Sequence, residues 1–112
     1  MVTKWTPRRG DVVWLTFSPT AGHEQAGRRP AVVISPEAYN AKVGLALFCP
    51  ITSQVKGYPF EVALPEDRDV RGVILADQIK SLDYGAREAE FVYHLPDDAL
   101  AELLAKIRTL LD

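Results

Sequence analysis

The hydrophobic pattern of this sequence changes period near Pro96, and this change limits the folds that the chain can adopt. After Pro96, apolar residues recur at the spacing of one helix face: Leu100, Leu103, Leu104, Ile107, Leu110 and Leu111. Before Pro96, short runs rich in β-branched and aromatic residues alternate with turn residues. The sequence therefore predicts a mainly β fold with helices (α+β), in which a C-terminal helix packs on a small, bent antiparallel sheet or open barrel.

The short apolar runs predict the strands and one further helix. Strands are expected at residues 11–17, 31–34, 45–51, 60–64, 73–76, 79–82 and 88–93. Ser35 before Pro36 has the form of a helix start with Ser35 as the capping residue, and Gly44 follows as its end. A hydrophobic fraction of 47% over 112 residues is enough for one domain, residues 1–112.

The apolar runs are too short to cross a membrane. The longest, Leu45–Cys49 and Val73–Ala76, fall far below the ~20 residues that span a bilayer, and the N-terminus has no apolar region of the secretory type. Cys49 is the single cysteine, so it cannot form an intramolecular disulfide, and its apolar surroundings predict core packing. We expect a cytoplasmic protein without membrane contact.

Charge is distributed unevenly along the chain. The net charge is -2, but residues 1–60 hold seven basic and three acidic side chains, a net charge of +4, whereas residues 61–112 hold six and twelve, a net charge of -6. Such an asymmetry is typical of a protein with one face that binds a polyanion. Ordinary solvated surface charge explains the same numbers equally well.

Residues 18–27 form a polar stretch with two glycines and a proline, which predicts a long surface loop. Loops of this length in a small domain are often functional. Metal-free cleavage of RNA needs a base for the 2′-hydroxyl, a cation for the charged phosphorane and an acid for the leaving oxygen. His23, Glu24 and Arg29 are groups of these kinds. A solvated surface ion pair is the competing interpretation of the same residues.

Two more polar clusters follow predicted strands directly. Thr52-Ser53-Gln54 comes after one apolar strand and Asp77-Gln78 after another. Strand ends are places where a scaffold presents functional side chains. Simple turns, in which these side chains bond their own backbone, are the alternative.

These segments together resemble the MazF/PemK family of toxin endoribonucleases. The resemblance covers nearly the whole chain, from Gly10-Asp11 through the C-terminal helix, and follows the MazF pattern more closely than the PemK/Kid one. It rests on Pro19-Thr20, Gly22, Glu24-Gln25, Gly27, Arg29-Pro30, Pro50, Thr52-Ser53, residues 56–60 and Asp77-Gln78.

The resemblance implies a fold of the CcdB/PemK type, like an SH3 barrel with added helices, assembled as a homodimer. It implies a sequence-specific endoribonuclease that needs no metal or cofactor. Such an enzyme cuts single-stranded RNA, usually mRNA, to 2′,3′-cyclic phosphate and 5′-hydroxyl ends and so inhibits translation and growth. The implied partner is a MazE-type antitoxin that lies across the RNA site, and DNA would be contacted only through the antitoxin.

The MazF pattern also implies roles for single residues. Arg29 and Thr52 match its catalytic pair, and Glu24 matches an acidic residue that is a candidate base. His23 and Asp77 match catalytic residues of the PemK/Kid branch, but Leu75 stands where that branch has an accompanying arginine. The Arg29 and Thr52 assignment is therefore preferred, with His23 and Asp77 secondary.

RNA binding needs cations and aromatic faces. The candidates are Phe17, Gln25, Arg28, Ser53, Lys56, Tyr58 and Gln78. Trp14 is expected in the core or a dimer interface, and His94 is expected to be structural. With two histidines and one cysteine, the sequence predicts no metal site.

Two other functions fit a small bent sheet. A CcdB-like gyrase poison acts through a C-terminal Trp-Gly-Ile, whereas this chain ends Leu110-Leu111-Asp112. A non-enzymatic SH3-like binding module needs no pairing of Arg29 with Thr52. Cleavage of RNA by the purified protein distinguishes the endoribonuclease from the gyrase poison and from the binding module.

Overall fold

The structure, a computed structural model, describes residues 5–16 and 27–112. Within this part of the chain, seven strands and two helices follow one another. They are β1 (Asp11–Thr16), β2 (Arg28–Val33), α1 (Glu37–Val43), β3 (Ala46–Thr52), β4 (Glu61–Ala63), β5 (Val73–Leu75), β6 (Lys80–Leu82), β7 (Glu90–His94) and α2 (Asp97–Thr109).

The strands form one antiparallel sheet in the order β4-β5-β3-β2-β1-β7. β3 is its central element, with β2 along one edge. The other edge of β3 is shared, because β6 pairs with Ala46–Phe48 and β5 pairs with Ile51–Thr52. The expected mainly β architecture with two helices is confirmed, as an open sheet.

Both faces of the central strands are buried. On one face, α2 contributes Leu103 and Ile107 to a core that includes Val12, Val32 and Cys49. On the other face, the neighbouring strand residues pack with the end of β6 and the chain that follows it, in a cluster of Val13, Leu15, Ala31, Val33, Ala46 and Phe48 with Leu82, Tyr84 and Ala89. Successive residues of a strand point to opposite faces, so a strand between two apolar layers is apolar throughout.

The prediction for Cys49 is confirmed, because its side chain is fully buried. Burial, helped by the nearby charge of Asp77, raises the pKa of the Cys49 thiol to about 12. A thiol with this pKa is protonated at neutral pH and is a poor nucleophile.

β2 begins three residues earlier than the sequence predicted. Arg28, Arg29 and Pro30 pair with Thr16, Leu15 and Trp14 of β1, but pairing with β3 starts only at Ala31. At Pro30, β2 is therefore paired with β1 on one side and is an edge strand on the other, where a residue without an N–H is tolerated. The other predicted strands exist, and within the described residues their ends differ from the prediction by one or two residues.

The expectation that Ser35 caps α1 is wrong. The capping position is Pro36, without a side-chain hydrogen bond. The Ser35 hydroxyl instead donates to Oδ1 of the buried Asn40 at 2.6 Å and accepts from the backbone N–H of Leu47 at 2.9 Å. It links the helix to β3 rather than closing the first turn.

The C-terminal helix is confirmed, but it ends at Thr109. Leu110 and Leu111 therefore extend the apolar stripe beyond the helix, and they are 47% and 78% exposed. Among the helices of the described residues, neither has the length and hydropathy needed to span a bilayer.

His94 precedes this helix and contacts a buried carboxylate. Its Nδ1 lies 3.1 Å from Oδ1 of Asp11, whose other oxygen accepts from the backbone N–H of Arg8 at 2.8 Å. Asp11 is 3% exposed. This contact ties the start of β1 to the end of β7 and fits the structural role expected for His94.

Candidate active site

Arg29 and Thr52 lie at the point where β2 and β3 separate. The two strands pair from Val33↔Phe48 to Ala31↔Pro50, and two residues further along the same register Arg29 stands opposite Thr52. Beyond Pro50, β3 pairs with β5 on its other edge, through Ile51 and Thr52. The end of the β2–β3 ladder thus leaves room between strands for a surface hollow.

This hollow, the Arg29 hollow, has a volume of about 420 Å³. It brings together the two residues that the sequence analysis placed in the catalytic pair. Its lining comes from β1, β2, the end of β3 and the loop between β4 and β5: Trp14, Arg29, Pro30, Ile51, Thr52, Ser53, Gln54, Asp69, Val70 and Arg71.

The Thr52 hydroxyl is oriented by its own turn. Its Oγ1 accepts from the backbone N–H of Gln54 at 3.1 Å, an interaction of the short-turn type expected as the alternative. Because the oxygen is the acceptor in that bond, the hydroxyl hydrogen stays available to donate elsewhere. The turn and a catalytic hydroxyl are therefore compatible at Thr52.

A second hollow of about 440 Å³, the Asp77 hollow, adjoins the first and shares Thr52 and Gln54 with it. Three predicted RNA-binding residues, Lys56, Tyr58 and Gln78, lie there with Asp77. The complete lining is Thr52, Gln54, Lys56, Tyr58, Glu61, Leu75, Asp77 and Gln78.

The turn that carries Lys56 and Tyr58 is held in place by Glu61. The Glu61 carboxylate accepts from the backbone N–H groups of Lys56 and Gly57 at 3.1 and 3.0 Å. Tyr58 is half exposed, and its ring packs against Phe60 with centroids 6.1 Å apart. The Tyr58 ring is therefore accessible and fixed, as a stacking surface for a base must be.

Asp77 is bound to Tyr58 rather than to an arginine. The Tyr58 hydroxyl donates to Oδ2 of Asp77 at 2.6 Å, whereas Oδ1 is buried and has no hydrogen-bond partner in the described part of the chain. Leu75, which stands where the PemK/Kid pattern has arginine, lines the same hollow. The structure thus places Asp77 and Arg29 in different hollows.

The hydrogen bond to Asp77, with smaller contributions from burial and from the Asp77 charge, raises the pKa of Tyr58 above its usual value. A raised pKa means that this bond stabilises the fold below pH ~10 and that its contribution is lost as the pH rises through the pKa of folded Tyr58. We expect Asp77→Asn to lower the pKa of Tyr58 and so shift its ultraviolet titration to lower pH.

The measurement is absorbance at the tyrosinate band, with the curve of the matching Tyr58→Phe variant subtracted to isolate Tyr58 from the other three tyrosines. A Tyr58 titration that is the same with Asp77 and with Asn at this position would show that the hydrogen bond does not control the pKa.

Arg28 lies apart from both hollows. Its Nη1 donates to Oγ1 of Thr16 and to the carbonyl oxygen of Glu88, both at 2.8 Å, and its Nη2 forms a 3.0 Å ion pair with Glu90. Adjacent strand residues point to opposite faces, so Arg28 ties β2 to β1 and β7 while Arg29 lines its hollow. RNA contact by Arg28 stays a prediction.

Four of the predicted site residues, Phe17, His23, Glu24 and Gln25, lie outside the described residues. Ser53 lines the Arg29 hollow. Trp14, expected in the core or an interface, also lines this hollow and is partly buried against the core.

Asp69 and Arg71 also line the Arg29 hollow, and they are not among the predicted site residues. They belong to a charged turn, residues 66–71, in which apolar residues have no regular spacing. Their position is the one sequence signal for a role in the site. Arg71-Gly72 directly precedes a predicted strand, and the start of a strand, like its end, can carry site residues.

Residues 8–111 match the family described as "PemK-like, MazF-like toxin of type II toxin-antitoxin system". The chain is 49% identical over 112 residues to the endoribonuclease toxin MazF of Escherichia coli K12, covering 99% of both, and 32% identical over 108 residues to the E. coli endoribonuclease PemK, covering 92% of this chain and 80% of PemK.

A solved structure agrees with the sequence match. In the MazE-MazF complex of Deinococcus radiodurans (Form-II), one chain superimposes with a TM-score of 0.91 at 54% identity, covering 96% of this chain and 97% of that one. The higher identity to MazF than to PemK agrees with the pattern that the sequence follows. The chain belongs to the PemK-like, MazF-like family of toxins of type II toxin–antitoxin systems, in which its close relatives are endoribonucleases.

Proposed function

We propose that this chain is a sequence-specific, metal-independent endoribonuclease that cleaves single-stranded RNA by attack of the 2′-hydroxyl on the adjacent phosphate. The products are a 2′,3′-cyclic phosphate and a 5′-hydroxyl. The observation that carries the proposal is the Arg29 hollow, in which Arg29 and Thr52, 23 positions apart in the sequence, line one cavity of about 420 Å³.

Arg29 supplies the cation that this reaction needs. As the 2′-oxygen attacks, negative charge builds up on the non-bridging oxygens of the phosphorane. The planar guanidinium donates two parallel hydrogen bonds to such oxygens. Stabilising charge that develops only in the transition state lowers the barrier more than it tightens substrate binding.

Thr52 supplies a directed hydroxyl. With its Oγ1 accepting from Gln54, the Thr52 hydroxyl is free to donate to a phosphate oxygen and to hold the scissile group against Arg29. Glu24 is the proposed base for the 2′-hydroxyl and His23 a second candidate for proton transfer. Asp77 is better suited to substrate binding, since it lies in the neighbouring hollow on Tyr58.

The two hollows suggest a path for the RNA. They meet at Thr52 and Gln54, so a strand crossing both would place its reacting phosphate near this boundary. In the Asp77 hollow, the Tyr58 ring offers a stacking face, Lys56 a charge for phosphate, and the Gln78 amide a donor and acceptor for a base edge. We therefore assign cleavage to the Arg29 hollow and base recognition to the Asp77 hollow.

The test is cleavage of a long single-stranded RNA in the presence of EDTA, with mapping of the cut sites and of the chemistry of both ends. Wild type is expected to cut at one short motif and to leave the stated ends. Thr52→Val, which keeps the shape but removes the hydroxyl, is expected to lower kcat by about 10²-fold or more. Thr52→Ser, which keeps the hydroxyl, is the matched control and is expected to retain most of the activity.

Ends that carry a 5′-phosphate, or a requirement for a divalent metal, would contradict the proposed chemistry. Equal rates for the valine and serine variants would contradict the role of Thr52. RNA left intact while DNA is cleaved in a gyrase-dependent assay would favour the gyrase poison, and RNA bound but never cut would favour the binding module.

In the cell, the proposed substrate is mRNA in the cytoplasm, so that cleavage inhibits translation and growth. The relatives solved as MazE-MazF complexes support a MazE-type antitoxin as the partner, with any DNA contact made through the antitoxin. Growth arrest on expression that co-expression of a cognate MazE-type protein does not relieve would count against this partner.

We further propose that the chain acts as a homodimer. An apolar hollow of about 590 Å³ lies beside the end of α2, and its members Ile79, Leu110 and Leu111 are 39%, 47% and 78% exposed. Exposed apolar patches of this kind are typical of protein interfaces. Sedimentation equilibrium at micromolar concentration that gave the mass of one chain, 12.4 kDa, would contradict the dimer.

A further inference from the structure

We infer that Arg71 is a second phosphate-binding residue of the RNA site, in addition to Arg29. The inference rests on the proposed endoribonuclease function. Arg71 lies in the loop of residues 64–72 that joins β4 to β5, and it lines the Arg29 hollow together with Arg29 and Thr52.

The backbone around Arg71 is fixed against Thr52. Gly72 has a φ of +115°, and a Cβ at this position would lie 2.1 Å from the Thr52 carbonyl oxygen. The next residue, Val73, pairs with Thr52 in the sheet, and the Gly72 carbonyl accepts from the N–H of Leu64 at 3.0 Å. Contact this close between two backbones sets the position of Arg71 relative to the Thr52 hydroxyl.

The loop is also anchored on the other side of Arg71. Val70 is 4% exposed, and its carbonyl oxygen accepts from the Tyr93 hydroxyl at 3.4 Å. Arg71 therefore stands between two anchored residues, and its exposed side chain is presented from a rigid base. Presenting a charge from a rigid base lowers the entropy lost when it binds a ligand.

The Arg71 guanidinium has N–H donors that are available for a ligand. Its Nε donates to the carbonyl oxygen of Arg68 at 3.3 Å, while its two terminal nitrogens form no hydrogen bond within residues 5–16 and 27–112. Arg68, the other arginine of the loop, is directed differently, because its guanidinium lies 4.9 Å from the centre of the Tyr93 ring and 3.8 Å from a carboxylate oxygen of Asp67. Arg71 is thus the loop arginine that faces the hollow.

Charge favours an anionic ligand in this hollow. Arg29 and Arg71 contribute two positive charges against the one negative charge of Asp69. A strand of RNA carries one phosphate per nucleotide, so when Arg29 holds the reacting phosphate, Arg71 can hold a neighbouring one. Since that phosphate does not react, we expect Arg71 to act on binding of RNA and Arg29 to act on the rate of its cleavage.

The experiment uses the full chain and a single-stranded oligoribonucleotide that contains the cleavage motif with a 2′-deoxy sugar at the scissile position, so that it binds without being cut. Arg71→Ala is expected to raise its Kd about 5- to 20-fold and to reduce the slope of log Kd against log salt by about 0.7, the value for one lost contact to single-stranded nucleic acid. The kcat on cleavable RNA is expected to stay within about 3-fold of wild type.

Two variants serve as controls. Arg68→Ala removes the same side chain from the same loop and is expected to change neither the Kd nor the salt slope. Arg71→Lys keeps the charge and is expected to retain the wild-type slope. Thermal melting of each variant shows whether the fold is kept, and binding is compared well below the lowest Tm.

Several results would overturn the inference. Identical Kd and slope in the Arg71→Ala and Arg68→Ala variants would do so. A loss of kcat with unchanged Kd would also do so, as would weakened binding of an antitoxin peptide with unchanged binding of RNA. If wild type cleaves RNA and Arg71→Ala binds it normally, this inference fails and the proposed function stands. If wild type neither binds nor cleaves RNA, both fail.

Discussion

Replacing Arg29 with alanine is expected to abolish cleavage of single-stranded RNA and to leave the fold intact. The proposed reaction builds up negative charge on a phosphate within the Arg29 hollow, and a water-filled gap stabilises this charge much less than a fixed guanidinium does. Loss of a cation in such a position lowers kcat by about 10³-fold or more. The measurement is single-turnover cleavage of an oligoribonucleotide that contains the mapped motif.

The fold is expected to survive because Arg29 is exposed, whereas β2 is held by the buried residues Ala31–Val33. Exposed substitutions of this kind change the free energy of unfolding by about 0.5 kcal/mol or less. Arg8→Ala is the matched control, since it removes an exposed arginine from the chain before β1, away from both hollows. An Arg29→Ala enzyme as fast as Arg8→Ala would remove Arg29 from the mechanism.

The elements with a clear period were predictable from the sequence. The helix after Pro96 and the strand around residues 45–51 follow directly from apolar spacing, because burial on one or two faces selects that spacing. The start of β2 was not predictable in this way. Arg28-Arg29-Pro30 is polar and contains a proline, and it is extended because β1 pairs with it, a contact between parts distant in sequence.

The site was predictable only in part, because contacts between parts of the chain distant in sequence also determine its geometry. Arg29 and Thr52 were assigned by resemblance, and the structure adds that the end of the β2–β3 ladder brings them to one hollow. The different position of Arg28 was not visible in the sequence, since only the partners Thr16, Glu88 and Glu90 show which way its side chain turns. Asp69 and Arg71 were missed because tertiary contacts at Val70 and Gly72 place their loop.

Gly72 is the residue on which this placement depends most, and Gly72→Ala is expected to destabilise the protein strongly. Its φ of +115° disfavours any side chain, and the new Cβ would lie 2.1 Å from the carbonyl oxygen and 2.9 Å from the carbonyl carbon of Thr52. These are backbone atoms of the central strand, so relief requires β5 to move away from β3. We expect a loss of about 3 kcal/mol in the free energy of unfolding and a fall in Tm of roughly 10 °C or more.

Gly44→Ala separates the two causes of this loss, which are the strained backbone angle and the clash with Thr52. Gly44 also has a positive φ, +79°, but an added Cβ meets nothing within 4 Å, so its substitution carries only the backbone strain, about 1 kcal/mol. Chemical denaturation of both variants gives the comparison. If the clash displaces Thr52, Gly72→Ala will also cleave RNA far more slowly than Gly44→Ala at a temperature where both are folded. Equal stability and equal cleavage in the two variants would mean that the β3–β5 contact neither holds this fold together nor positions the Thr52 hydroxyl.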